Sequence, residues 1–209
     1  NAKIPQSDLD LLLAYSIHKP KEFAYAHPEY KLSFWERCKL KYFLFLRKQG
    51  YSVAAIVGHK EFYGLYFFVN KHLLIPRPDT ELMVAEALSV MTSDFKLQTS
   101  VQERQPKSED RSLILLIDVG TGSGCIPISI ACHPELVSGS VSTSQEIPKQ
   151  VRNDIQIFAT DISRAALRVA KRNAKKHGVN IKFFHGNLLE PIIPRLGGEG
   201  LKARGGLVR

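Results

Sequence analysis

Residues 112–131 read SLILLIDVGTGSGCIPISIA. The first half is an unbroken apolar run of strand length, the pattern of a strand buried on both faces. It ends in a turn with glycine at every second position. A helix-forming segment follows directly. Downstream, DIQIFATD (154–161) is a second strand and SRAALRVAKRNAKKHG (163–178) a helix capped by Ser163 and stopped by Gly178. NIKFFHGN (180–187) is a third strand. Strand and helix alternate, so the order predicts a β-α-β-α-β unit with a parallel sheet and right-handed crossovers. The fold class is therefore α/β. A doubly wound sheet has more than three strands, so the unit is read as incomplete.

Two stretches interrupt the pattern. Residues 134–153, PELVSGSVSTSQEIPKQVRN, are Ser-rich, lack apolar periodicity and read as an insertion in the first crossover. The tail 194–209, PRLGGEGLKARGGLVR, is Gly/Arg-rich and carries no element pattern.

Upstream, the first seventy or so residues read as helices followed by a hairpin. Ser7 is placed to cap a helix carrying Leu9, Leu12, Leu13 and Ile17. Ser33 and Glu36 form a capping box. The helix they begin carries Trp35, Cys38, Tyr42, Phe45 and Leu46 at helical spacing, a stripe expected to be core, with Gly50 where a C-terminal cap belongs. EFYGLYFFVNKHLLIP (61–76) predicts a hairpin turned at Asn70-Lys71. Pro78 and Asp79 suit the start of a helix whose apolar stripe is Met83, Val84, Ala87 and Leu88. Residues 92–112 are polar and aperiodic and read as a linker or surface loop.

Composition fits this picture. The 209 residues are 44% hydrophobic and 23% charged, which excludes wholesale disorder, a fibrous repeat and a membrane-embedded fold. No apolar run approaches the roughly 20 residues of a membrane helix and no signal-peptide pattern opens the chain, so a cytoplasmic location is expected. Cys38, Cys125 and Cys132 make neither a disulfide framework nor a metal-ligand spacing. The net charge of +9 favours a polyanionic partner or a solvated basic surface. The cations Arg164, Arg168, Lys171, Arg172, Lys175 and Lys176 of the second crossover helix read as its solvated face.

The chemistry-bearing residues sit where the predicted strands end. Asp118 precedes Gly120-Thr121-Gly122-Ser123-Gly124. Glycines there let the backbone turn sharply and approach a ligand, and the helix behind offers free N–H groups. A dinucleotide fingerprint wants Gly or Ala where Cys125 stands, so a dinucleotide is a poor fit. The G-x-G-x-G spacing after an aspartate resembles motif I of S-adenosylmethionine-dependent methyltransferases, whose ligand presents an ammonium group that Asp118 can face. Asp161 ends the second strand, where a carboxylate accepts from ribose hydroxyls; without the insertion its distance from the turn is near the usual ~20 residues. Asn187 after the third strand can accept from an adenine amino group, and Leu188 can pack on the adenine face. Thr80 and Glu81 are candidates for the edge of the site or for helix capping. No metal site is expected.

These motifs together resemble the HemK-type peptide chain release factor glutamine methyltransferases. The residues that carry the resemblance are LIPRPDTE (74–81), DVGTGSG (118–124) and TDIS (160–163) with Ala165-Ala166-Leu167, and it covers roughly residues 7–133 and 154–193. It implies a Rossmann-like class I methyltransferase fold preceded by a small helical domain and a hairpin. Its domains would be 1–58 for substrate docking, 59–78 as hairpin linker, 79–193 as a partial S-adenosyl-L-methionine-binding domain and 194–209 as an anomalous tail. It implies the cofactor S-adenosyl-L-methionine, bound by Asp118, Gly120, Thr121, Gly122, Ser123, Gly124, Asp161, Asn187 and Leu188. The reaction would be methylation of the glutamine side-chain amide in the Gly-Gly-Gln motif of peptide chain release factors, a protein methylation serving translation termination. A monomer is expected, with nucleic acid unlikely as substrate.

The family's Asn-Pro-Pro-Tyr motif, which holds the glutamine after the fourth strand, occurs nowhere in the 209 residues. No catalytic residue is assigned, and the chain is expected to be cut short before that strand. Asn187 stands where the family usually has a carboxylate, and Val53 where it usually has proline. Two other readings stay open: an amine methyltransferase acting on nucleic acid, whose nucleophile poses the same problem, and a truncated, non-catalytic fragment.

Overall fold

The structure is a computed structural model that describes residues 4–100, 114–133 and 155–196, with side chains except those of 93–100 and 195–196. The chain divides into two compact units, Asn1–Glu61 with Tyr66–Ile75, and Phe62–Leu65 with Pro76–Arg209.

The first unit is helical. Its elements are α1 (Gln6–Ile17), α2 (Lys21–Ala26), α3 (Phe34–Lys48) and α4 (Val53–Val57). The α1 helix begins two residues earlier than a cap at Ser7 would place it. The Pro5 carbonyl accepts from the amides of Asp8 and Leu9, and no side chain caps the helix. Proline fixes φ and needs no donor partner, so it occupies this position without a polar side chain. Leu12, Ala14, Ser16 and Ile17 are the buried residues of α1.

The capping box of α3 forms as expected: Glu36 N–H donates to Ser33 Oγ and Ser33 N–H to Glu36 Oε2. The expected core stripe of α3 is corrected. Trp35, Tyr42 and Phe45 are 79%, 59% and 57% exposed, Cys38 is exposed, and Phe43 is the buried residue of the helix. The face that packs carries Lys39, Phe43 and Arg47. Lys39 Nζ donates to the Tyr15 carbonyl at 3.0 Å, and Arg47 Nε donates to Asp8 Oδ2 at 2.8 Å. Two cationic side chains find acceptors on α1, so this face docks although it is the more polar one.

The hairpin is β1 (His59–Phe62) and β2 (Leu65–Phe68). Its turn is Tyr63-Gly64, a correction to Asn70-Lys71. Both turn residues have positive φ, 51° and 72°, the conformation a two-residue hairpin turn requires. Asn70 makes only a local turn, its Oδ1 accepting from His72 N–H.

The second unit carries α5 (Asp79–Ser100), β3 (Ile114–Val119), α6 (Cys125–Ala131), β4 (Ile155–Asp161), α7 (Arg164–His177), β5 (Lys182–His185) and α8 (Ile193–Leu196). The expected loop from residue 92 is corrected as far as Ser100, which ends α5. No glycine or proline lies between Asp79 and Ser100, so nothing local stops the helix. Residues 101–112 of that loop and the insertion 134–153 lie outside the described residues. The tail is helical at its start, since α8 includes Pro194 to Leu196; residues 197–209 lie outside the description.

The sheet is parallel, in the order β3-β4-β5. Ile114 to Val119 pair with Ile155 to Thr160, and Phe158 to Asp161 with Lys182 to His185. The central strand β4 is the buried one, with Ile155, Ile157, Phe158, Ala159 and Thr160 all in the core. Against it lie Ile128 and Ile130 of α6 and Ala166, Leu167, Ala170 and Ala174 of α7, all buried. Alanines on α7 let the helix approach closely, and Ser163 Oγ accepts from Ala166 N–H at its start. Among the described residues β3 is paired on one side only, and five of its six residues are half-buried, with Val119 exposed. The unit is an incomplete Rossmann-like fold with three parallel strands.

Candidate functional site at the carboxyl ends of the strands

In parallel α/β sheets ligands bind outside the carboxyl ends of the strands. Those ends are Asp118-Val119, Asp161 and His185, and every sequence-predicted cofactor residue lies on them or on the turn that follows.

The Gly-rich turn is held on β4. The amides of Gly120 and Thr121 both donate to the Thr160 carbonyl at 2.9 Å. Gly122 N–H donates to Asp161 Oδ2 at 2.9 Å, while Ser163 N–H donates to Asp161 Oδ1 at 2.7 Å. Asp161 therefore clamps the turn and also fixes the start of α7. The clamping role was not expected from the sequence. A carboxylate has about four acceptor directions, so two remain for a ligand.

Gly124 begins α6 with φ +78°. A Cβ there would lie 2.9 Å from Ile128 Cδ1 and 3.2 Å from Ala170 Cβ. Glycine at this position is what lets α6 and α7 pack at the turn. Asn173, fully buried on α7, donates from Nδ2 to the Ser123 carbonyl at 2.8 Å. Sequence reading missed it. The available signal was an amide side chain on the alanine-rich face of an otherwise amphipathic helix.

Asp118 is half-buried at the end of β3. Its Oδ2 and Thr160 Oγ1 are buried without a hydrogen-bond partner. Burial, with the charge of Asp161 adding, raises the Asp118 carboxyl above the ordinary aspartate value. A nearby cation would reverse that shift, so the position suits an ammonium group. Burial pushes the Cys125 thiol up to about 11, which leaves it protonated and a poor nucleophile at neutral pH.

Asn187 and Leu188 follow β5 and are exposed, Leu188 at 64%. Leu188 has φ 45°, uncommon for a residue with a Cβ and a feature of functional loops. Glu81 neither caps α5 nor joins the strand ends: its Oε1 accepts from Tyr63 N–H and braces the hairpin turn at 3.1 Å. Thr80 lies on the first turn of α5. Among the described residues no group of three or more His, Cys, Asp or Glu gathers to hold a metal ion, and no helix is long and apolar enough to cross a membrane.

The fold and the turn define the class: a Rossmann-like parallel α/β unit with a Gly-rich turn at its strand ends. Known proteins narrow the likeness. The chain is 36% identical over 184 residues to the release factor glutamine methyltransferase of Bacillus subtilis, a match covering 88% of this chain and 53% of that protein. It is 32% identical over 192 residues to the one of Coxiella burnetii, covering 91% and 57%. It is 34% identical over 199 residues to the bifunctional methyltransferase of Rickettsia bellii, covering 90% and 33%. No family model matches the chain. The chain is a homologue of the release factor glutamine methyltransferases, and it spans about half the length of those relatives.

Proposed function

We propose that this protein is the cofactor-binding part of a methyltransferase that modifies the glutamine side-chain amide of a peptide chain release factor. The observation that carries this reading is the Gly-rich turn clamped by Asp161 at the strand ends, in a chain homologous to proteins of that name. The buried, unpartnered Asp118 Oδ2 fits a cationic ligand group.

S-adenosyl-L-methionine supplies an electrophilic methyl group on a sulfonium. The residues proposed to hold it are Asp118 toward its ammonium and the backbone of Gly120, Thr121, Gly122, Ser123 and Gly124 beside its amino-acid end. Asp161 would face the ribose hydroxyls, Asn187 the adenine amino group and Leu188 the adenine face. An amide nitrogen is a weak nucleophile because its lone pair is delocalised, so such a reaction depends on positioning the amide in line with the methyl–sulfur bond. The turn contributes by fixing one reactant on a rigid frame. The helical unit, residues 1–58, is proposed to dock the protein substrate in the cytoplasm. Exposed Trp35, Tyr42 and Phe45 give it an apolar face for that contact.

The test has two parts. Binding of S-adenosylhomocysteine to the 209-residue chain is measured by calorimetry. The chain, extended to the length of its relatives, is then incubated with a release factor and isotope-labelled S-adenosylmethionine. The reading expects saturable binding, and label on a glutamine located by mass spectrometry. Label on another residue type, or none, contradicts the substrate assignment.

A further inference from the structure

Helix α7 has two faces of different character. One is buried and carries Ala166, Leu167, Ala170, Asn173 and Ala174. On the other, Arg164, Arg168, Lys171 and Lys175 are all exposed. At 3.6 residues per turn these four fall within a sector of about 60° and span about 16 Å along the axis. The helix contains no acidic residue. The ion pairs among the described residues, Arg47–Asp8 and His27–Glu29, both lie in the first unit, so none balances this strip.

Lys175 sits in the last turn, where a cation suits the helix dipole, but the rest of the arrangement works against the helix that carries it. Arg164 and Arg168 form a like-charge pair four residues apart, as do Lys171 and Lys175, and such pairs destabilise a helix. Arg164 also sits at the first helical position, where the positive end of the helix dipole disfavours a cation. A polyanion laid along the strip relieves both.

We propose that this face of α7 binds the sugar–phosphate backbone of nucleic acid. The four cations follow one another at rises of about 6, 4.5 and 6 Å. A polymer with a charge on every unit meets such a row without special design, whereas a folded acidic protein would need carboxylates built in the same register. Arginine adds a planar fork suited to phosphate oxygens. The helix has no Phe, Tyr or Trp on which a base could stack, so binding is to backbone and tolerant of sequence.

The test is fluorescence anisotropy of the 209-residue chain with a short mixed-sequence single-stranded RNA, titrated at several salt concentrations. Each neutralised phosphate on a single strand adds about −0.7 to the slope of log K against log salt, so four contacts predict about −3. Arg168→Gln with Lys171→Gln should make the slope about 1.4 less steep. Arg37→Gln with Lys41→Gln, exposed cations of α3, should leave it unchanged. The α7 variant should melt no lower than the parent, since it removes like charges. If it does melt lower, Lys175→Gln alone gives the same readout, with a slope change of about 0.7. Equal effects of the α3 and α7 pairs would overturn the proposal. So would absence of binding, or displacement of the RNA by polyglutamate at equal charge concentration, which would point to an acidic protein instead.

Discussion

Asn173 and Asp161 both hold the Gly-rich turn by its backbone. One donates to the Ser123 carbonyl, the other accepts from the Gly122 amide. Losing a buried amide's hydrogen bonds costs about 1–3 kcal/mol. Asn173→Ala should therefore lower stability by about that amount in denaturant unfolding. It should also weaken S-adenosylhomocysteine binding, because the turn loses a fixed carbonyl. Gly124→Ala should destabilise by about 1–3 kcal/mol in the same assay, since it combines a left-handed backbone with overpacking against Ile128 and Ala170. The glycines of the turn were legible in the sequence because a turn after a strand is a local feature; the clamp by Asp161 was not, since it joins residues 39 apart. Asn173 was not, because its partner is fifty residues away and only the packed helix brings the two together.

At the scale of elements, the sequence announced what periodicity and caps can encode. The three parallel strands, Ser163 as cap and Gly178 as stop were all readable. Periodicity did not say which stripe of α3 is buried. The aromatic one is the more hydrophobic, yet Lys39 and Arg47 find partners on α1 and turn the other face inward. Nor did it locate the hairpin turn, because Tyr63 is an uncommon residue at positive φ. The sheet yields a prediction of its own. Among the described residues β4 is paired on both sides and β3 on one, so amide exchange measured by NMR should show Ile157, Phe158 and Ala159 more protected than the strand's neighbours. Along β3, protection should alternate between bonded and open amides. Uniform protection along β3 would mean that something covers its second edge.

At the scale of the whole molecule, the chain combines a helical unit with a three-stranded parallel α/β unit, and it spans about half the length of the relatives it matches. The proposed function requires strand ends that accept a cationic, nucleoside-bearing ligand. Asp118 is where that requirement is exposed. Its carboxyl is raised by burial, so the folded state holds its proton more tightly than the unfolded state does. Stability is therefore lost as pH rises from the ordinary aspartate value through the raised one. Asp118→Asn removes that loss at neutral pH, and the difference should vanish in acid, below the ordinary aspartate range. The same substitution removes the charge that would meet the ligand's ammonium. The decisive measurement is thus the pair of unfolding midpoint and S-adenosylhomocysteine affinity for the parent and Asp118→Asn at neutral pH. The account predicts a variant that is more stable and binds at least tenfold more weakly, a loss of about 1.4 kcal/mol. A variant that binds as tightly as the parent would contradict it.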